Sequence, residues 1–311
     1  MKSRTGAESD PSDATHSTGL NMRYSVITLT YNQLAVTRRC LTALVRDTVS
    51  DAPWELLVVD NGSSDDTPDW VADELRPFGA ARGVPVRLFS NAENVGCSSA
   101  RNQGIAAATG EFLVFNDNDV TPRTRAWLPR LREAIESAPD VGLAGPKLVY
   151  PTPGVAIQCA GVGISRCGHV CFRGRGQPND APAWATAAEV QCLISACLMV
   201  RADLPRRFGG FDPIFHPVQF EDFDLCYRLR EAGWRAIYTP AAEMYHFEST
   251  TTQGSPARNN AATVIRNGLA FQKRWRHRFE AEDGPSEDAC RWLRLPPLPP
   301  LEAIPDPLPL M

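Results

Sequence analysis

Between Tyr24 and Val120 the apolar positions come in short runs of β-branched and aromatic residues, separated by amphipathic segments. Tyr24 to Thr30 (YSVITLT), Trp54 to Asp60 (WELLVVD), Pro85 to Ser90 (PVRLFS) and Glu111 to Phe115 (EFLVF) predict strands, each followed by polar or turn-forming residues. After the turn Tyr31-Asn32-Gln33, the segment Leu34 to Arg46 sets Leu34, Leu41, Leu44 and Val45 on one helical face. Asp66 or Thr67 caps a second helix beginning at Pro68, where proline suits the first turn. The polar loop Asn91 to Arg101 runs into a third helix, Ala100 to Thr109. Strand and helix alternating at this rhythm imply an α/β fold with a parallel sheet and right-handed crossovers. The C-terminal edge of that sheet gathers Thr30-Tyr31, Asp60, Asn94 to Arg101 and Asp117 to Asp119. Polar loops from several strand ends meeting on one edge form the usual layout of a nucleotide crevice.

Beyond Val120 the pattern loosens. Trp127 to Ser137 reads as a helix, Val141 to Tyr150 as a strand, and the glycine-rich Val155 to Phe172 as a hairpin or loose excursion. Ala196 to Arg201 is a strand, Phe220 to Ala232 a helix, and Trp234 to Thr239 a strand ended by Pro240. Asn259 to Phe279 is a basic helix that packs through Leu269, Phe271 and Trp275. The expected organisation is a disordered polar tail over 1–22 and one domain over 23–255, with a helical extension over 256–294 and a proline-rich tail over 295–311. Within the domain, 23–120 is the nucleotide-binding half and 121–255 a smaller acceptor and catalytic side.

Composition narrows the class. The chain has 311 residues, 43% hydrophobic and 22% charged, which permits a full core. A net charge of -4 gives no electrostatic case for nucleic acid as a partner. The first 22 residues lack the apolar core of a secretory signal, and the run near Val190 to Val200 is too short to span a bilayer. The expectation is a cytoplasmic protein, with peripheral docking at the inner face of the cytoplasmic membrane left open by the basic aromatic segment Arg266 to Arg278. Nine cysteines in a chain of this kind read as free thiols. The group Cys159, Cys167, His169, Cys171, Cys192 and Cys197 lacks the paired spacing of a structural zinc site.

Candidate chemistry lies at strand ends. Asn116-Asp117-Asn118-Asp119 closes a buried apolar run, and two aspartates one residue apart there divide two jobs. One hydrogen-bonds a hydroxyl while the other holds a hard divalent cation through oxygen; the bland alternative is an Asx-rich turn. Asp60 suits a base edge or a ribose diol, with turn formation ahead of Asn61-Gly62 as its competitor. Arg101 is placed to neutralise phosphate or clamp a base carbonyl. In Phe220-Glu221-Asp222-Phe223-Asp224, the helix dipole accounts for Glu221 and Asp224, whereas Asp222 between two phenylalanines suits a partly desolvated general base. His246, just after a strand, completes a mixed oxygen and nitrogen site for Mn2+ or Mg2+ alongside Asp119. No G-x-G-x-x-G follows the first strand, and neither a Walker lysine nor a G-x-S-x-G elbow is present.

These residues resemble the glycosyltransferase family 2 pattern on a GT-A fold, over roughly Tyr24 to Thr252. The matching pieces are SVITLTYN, VVDNGSSDDT, N-x-G-x-x-x-A-R-N at Asn94 to Asn102, GEFLVFNDND, GGFD at Gly209 to Asp212, EDFDLCYRLREAGW, and YHFES ending at Ser249. Within the family the chain is most similar to rhamnosyltransferase-like bacterial enzymes. The resemblance implies a Rossmann-like, mostly parallel sheet flanked by helices. It also implies an inverting, metal-dependent transfer of a sugar from a nucleoside-diphosphate sugar, UDP- or dTDP-linked, to a hydroxyl acceptor. Thr30, Tyr31 and Asp60 would line the nucleoside pocket with Arg101 nearby. Asp117 would meet the ribose or share the metal, Asp119 would ligate it, His246 would be a further ligand or a phosphate contact, and Asp222 would deprotonate the acceptor. Asn116 and Asn61 depart from the pattern, standing where an apolar residue and a second aspartate are usual. The rival readings are a sugar-phosphate nucleotidyltransferase and a non-catalytic sugar- or partner-binding module.

Overall fold

The computed structural model describes residues 22–152, 154–248 and 261–290. The expected tails over 1–21 and 295–311, and the end of the family pattern beyond Glu248, lie outside the described residues. Met22, expected in the tail, is buried instead, because the chain is already tied down at Arg23, whose N–H donates to Pro53 O at 2.9 Å.

The strands are β1 (Tyr24–Thr30), β2 (Trp54–Asp60), β3 (Val86–Ser90), β4 (Phe112–Asn116), β5 (Val120–Pro122), β6 (Val141–Val149), β7 (Ile157–Cys159), β8 (Val162–Ile164), β9 (Val170–Phe172), β10 (Ala188–Val190), β11 (Cys197–Arg201) and β12 (Arg235–His246). The main sheet runs β10-β12-β6-β11-β4-β1-β2-β3, with β5 on β12 and β7 on β6, while β8 and β9 form a separate hairpin. The strands β3, β2, β1 and β4 are parallel, and Thr30 lies opposite Asp60, which lies opposite Ser90. Their polar ends therefore share one edge. Helices Leu34–Asp47, Cys97–Ala107 and Trp127–Glu136 cover the sheet.

Two antiparallel pairings carry the second half of the chain to the same edge. β11 pairs with β4, Cys197 opposite Asn116, so the residues entering β11 sit beside the aspartate turn. β12 pairs with β5, His246 opposite Val120, and Phe247 N donates to Asp119 O at 3.0 Å. β12 does not stop at Pro240 as its sequence predicts. Proline has no ladder donor, but Pro240 falls in the register shift between Thr239 and Glu243, where none is required.

Two further expectations are corrected. Asp66 stands at the N-cap of the helix that starts at Thr67, but its side chain makes no capping bond; the carboxylate before it does that work, Asp65 Oδ1 accepting from Thr67 N and its Oδ2 from Leu34 N, each at 3.1 Å. One carboxylate thereby holds the starts of two helices. On the helix Ala261–Phe279, Leu269 is 61% exposed, and Asn267, Phe271, Trp275 and Phe279 are buried. Four-residue spacing puts that set on one face, and Leu269 lies off it. Among the described residues no helix is long and apolar enough to cross a membrane.

Gly104 lets the helix Cys97–Ala107 lie directly on β1. A Cβ there would stand 2.4 Å from Ile27 Cγ2, and Ile27 is fully enclosed. Gly104→Ala is expected to destabilise the protein by about 1–3 kcal/mol in urea denaturation. Overpacking then outweighs the helix-propensity gain of about 1 kcal/mol.

Candidate functional site

Two adjoining cavities open at the C-terminal edge of the parallel strands, sharing Arg101, Asp117 and Val218. The smaller, about 110 Å³, is lined by Thr30, Tyr31, Asn61 and Cys97. The larger, about 540 Å³, has Asp119, His246, Glu221 and Asp222 on its polar side and Val170, Phe172, Ile194 and Phe220 on its apolar side.

Asp60 lines neither cavity. It is buried, and its oxygens accept from Thr30 Oγ1 (2.9 Å), Ser63 N (3.0 Å) and Ser63 Oγ (2.5 Å), stapling the end of β1 to the loop after β2. The two asparagines at unusual positions have structural reasons. Asn61 Nδ2 donates to Asn94 Oδ1 while its Oδ1 accepts from Val95 N, a donor-and-acceptor pairing that an ionised aspartate cannot make. Asn116 Nδ2 donates to Asp117 O at 3.0 Å and Val120 O at 3.3 Å, closing the turn that carries the aspartates.

Arg101 is the electrostatic centre. It is buried, with Nη2 at 3.1 Å from Asp117 Oδ1 and Nη1 at 2.8 Å from Glu221 Oε1. Burial pushes the Glu221 carboxyl up to about 7, Asp222 beside it adds to the shift, and Arg101 opposes both. The dipole reading of Glu221 therefore misses its main contact, which spacing alone does not signal because the partner lies 120 positions away.

Asp222 sits on the cavity wall at the start of the helix Glu221–Glu231. Its Oδ2 accepts from Ser195 N at 3.1 Å and Ser195 Oγ at 3.3 Å, and its Oδ1 from Phe223 N at 2.9 Å. Burial raises its pKa above the usual aspartate value, and the Ser195 N–H and the Arg101 charge work against the rise. Ser195 has no signal in the sequence. It reaches the site because it precedes β11, whose neighbour Ala196 accepts from Asp117 N at 2.9 Å.

Asp119 and His246 are both buried, with Oδ1 and Nε2 3.5 Å apart. Burial works to lower the His246 pKa, but the Asp119 charge and hydrogen bond outweigh it and the net shift is upward. Behind the ring, Nδ1 faces Gln158 Oε1 at 3.3 Å, and Gln158 Nε2 donates to Glu248, which Arg175 grips with two bonds of 2.9 and 3.0 Å. Asp117 does not join Asp119 and His246: its carboxylate turns to Arg101, and burial raises its pKa, with Arg101 opposing. Among the described residues, no three His, Cys, Asp or Glu side chains converge as a ready metal cage. Asp119 and His246 present an oxygen and a nitrogen facing one cavity. That pair fits an Mn2+ or Mg2+ ion whose remaining positions are filled by a ligand's oxygens.

Cys192 and Cys197, from the cysteine group noted above, are buried in the apolar core as small hydrophobes.

Residues 25–155 match the family model described as Glycosyl transferase family 2. The pre-mycofactocin glycosyltransferase of Mycobacterium tuberculosis is 32% identical over 63% of this chain and 38% of its own length. The N-acetylglucosaminyl-diphospho-decaprenol L-rhamnosyltransferase of the same organism is 29% identical over 76% of this chain and 80% of its own. The crystal structure of GalNAc-T7 with UDP, GalNAc and Mn2+ superposes with a TM-score of 0.65 at 15% identity, covering 83% of this chain and 50% of that one. The chain spans less than two fifths of the length of the first curated relatives it matches, 27% and 38%.

Proposed function

We propose that this chain, whose residues 25–155 belong to glycosyl transferase family 2 and whose fold is GT-A, transfers a sugar from a nucleoside-diphosphate donor to an acceptor hydroxyl with inversion. The observation that carries the reading is one cavity lined by Arg101, Asp119, His246 and Asp222 together. A diphosphate leaving group and an acceptor proton both find the chemistry they need there.

The nucleoside, carried as a UDP- or dTDP-sugar, enters the smaller cavity past Thr30 and Tyr31, with Asp60 acting on it through Thr30. Asp117 meets the ribose, and Arg101 faces the phosphates. Asp119 and His246 would hold the divalent ion. When bound, that ion supplies positive charge against the departing diphosphate. Asp222 accepts the acceptor's proton as the hydroxyl oxygen attacks the anomeric carbon. The new C–O bond forms on the face opposite the breaking C–O bond to phosphate, and the electron pair leaves with the nucleoside diphosphate. A single displacement inverts the anomeric centre, so no serine or cysteine nucleophile is used.

Thermal unfolding tests the reading. UDP or dTDP together with Mn2+ is expected to raise the melting temperature more than either alone. Ligand at a hundred times its Kd stabilises by about 2.7 kcal/mol. Asp119→Asn and His246→Ala should each erase the part that depends on Mn2+. Consumption of a sugar 1-phosphate with a nucleoside triphosphate would transfer the protein to the nucleotidyltransferases. Absence of any shift, with no nucleoside diphosphate released from donors, would leave only the binding module.

A further inference from the structure

The helix Ala261–Phe279 turns one amide into its apolar face. Asn267 is fully buried, and its Nδ2 donates to Phe215 O at 2.8 Å, Val218 O at 2.9 Å and Gln219 O at 3.3 Å. Its Oδ1 accepts from Arg266 Nε at 3.1 Å, so both ends of the amide are used. A buried amide is unfavourable unless its hydrogen bonds are made. Here they are directed at three carbonyls of one stretch of backbone.

That stretch is strained. Gln219 and Phe220 have φ of 84° and 74°, a region in which Cβ crowds the backbone and which costs on the order of 1–3 kcal/mol per residue. Such a conformation persists only where its surroundings over-determine it. Val218 lines both cavities, Gln219 and Phe220 wall the larger one, and Phe220 is the N-cap of the helix that carries Asp222. The Phe220 ring is wedged at 5.6 Å from that of Phe271, and a Cβ on Gly268 would lie 3.2 Å from Phe220 Cζ.

We infer that Asn267 is a positioning residue: by holding the carbonyls of the strained turn at residues 215–220, it sets the wall that the cavities share and the direction from which Asp222 reaches the acceptor. The inference rests on the proposed role of Asp222. The C-terminal helix then belongs to the active site although Asn267 itself lines neither cavity.

The test compares Asn267→Asp, which keeps size but turns an acceptor oxygen on the carbonyls, with Phe279→Leu, a core change farther along the same helix. In the full chain, Asn267→Asp is expected to lower kcat by about tenfold to a hundredfold, since small misplacements of a reacting group have effects of that order. The amides of His216 and of residues 218–220 should exchange hydrogen faster. Phe279→Leu should lower the melting temperature without either change. Gly268→Ala is the second variant, expected to lower kcat through pressure on Phe220 while the melting temperature holds; it serves if Asn267→Asp does not fold. Unchanged kcat and unchanged exchange in the folded variants would overturn the inference. If Asp222→Asn retained full kcat, the base assignment would fall, while exchange at His216 and residues 218–220 would still report whether Asn267 holds the turn.

Discussion

Asp222→Asn is expected to lower kcat by about 10²–10⁴-fold, the usual contribution of a positioned general base, while the donor's affinity stays near that of the parent. The amide fills the same space but keeps a single acceptor oxygen, so it holds either Ser195 N or Phe223 N and not both. What is lost is the lone pair that takes the acceptor's proton. The pH dependence follows from the same geometry. Asp222 must be ionised to act, and burial raises its pKa above the ordinary aspartate value. The acid limb of kcat/KM should therefore lie above the pH at which an exposed aspartate titrates, with activity falling as pH drops through it. That limb should vanish from the residual rate of Asp222→Asn. An unshifted limb, or a variant as active as the parent, removes Asp222 from the mechanism.

The largest effect on stability is expected at Arg101. Arg101→Leu leaves Glu221 buried without its partner and Asp117 without its bond, and stripping one member from a buried ion pair typically destabilises by about 3–5 kcal/mol. Its sign with pH is fixed by the carboxylates. Glu221 is held up to about 7, above its ordinary 4.5, so its contribution to stability is present in full below 4.5 and fades as pH rises through about 7. Without Arg101 that rise grows. Urea denaturation should show Arg101→Leu losing more stability at pH 8 than at about pH 5, where the orphaned carboxyl is neutral. Adding Glu221→Leu to Arg101→Leu should recover most of the loss, because apolar residues of similar volume replace a buried pair at little net change. An equal loss at both pH values would mean that the defect comes from packing rather than charge.

The places where sequence reasoning misjudged individual residues share a cause. Pro240 argues against a strand by local rules, yet β12 passes through it because a register shift removes the demand for its N–H. Asp66 takes the N-cap position, but the side-chain bond to the helix start comes from Asp65, whose carboxylate also accepts from Leu34 N after β1. Leu269 has the hydrophobicity of a core residue and lies off the packed face, whereas polar Asn267 lies on it. In each case a partner distant in sequence overrode a local preference that was sound by itself.

Read alone, the amino-acid order determined the strands β1 to β4, the helices between them and the shared edge at which Thr30, Asp60 and Asp117 emerge. Those follow from periods of two and 3.6 and from the parallel crossover, which act over a few residues or one supersecondary unit. The tertiary structure alone decided that Ser195 and Glu221 join that edge, that Arg101 pairs with Glu221 and Asp117, and that Asn267 holds the turn before Asp222. Those contacts depend on antiparallel pairing of β11 and β12 and on the docking of the last helix. A side chain's charge and size do not say which distant backbone will come to meet it.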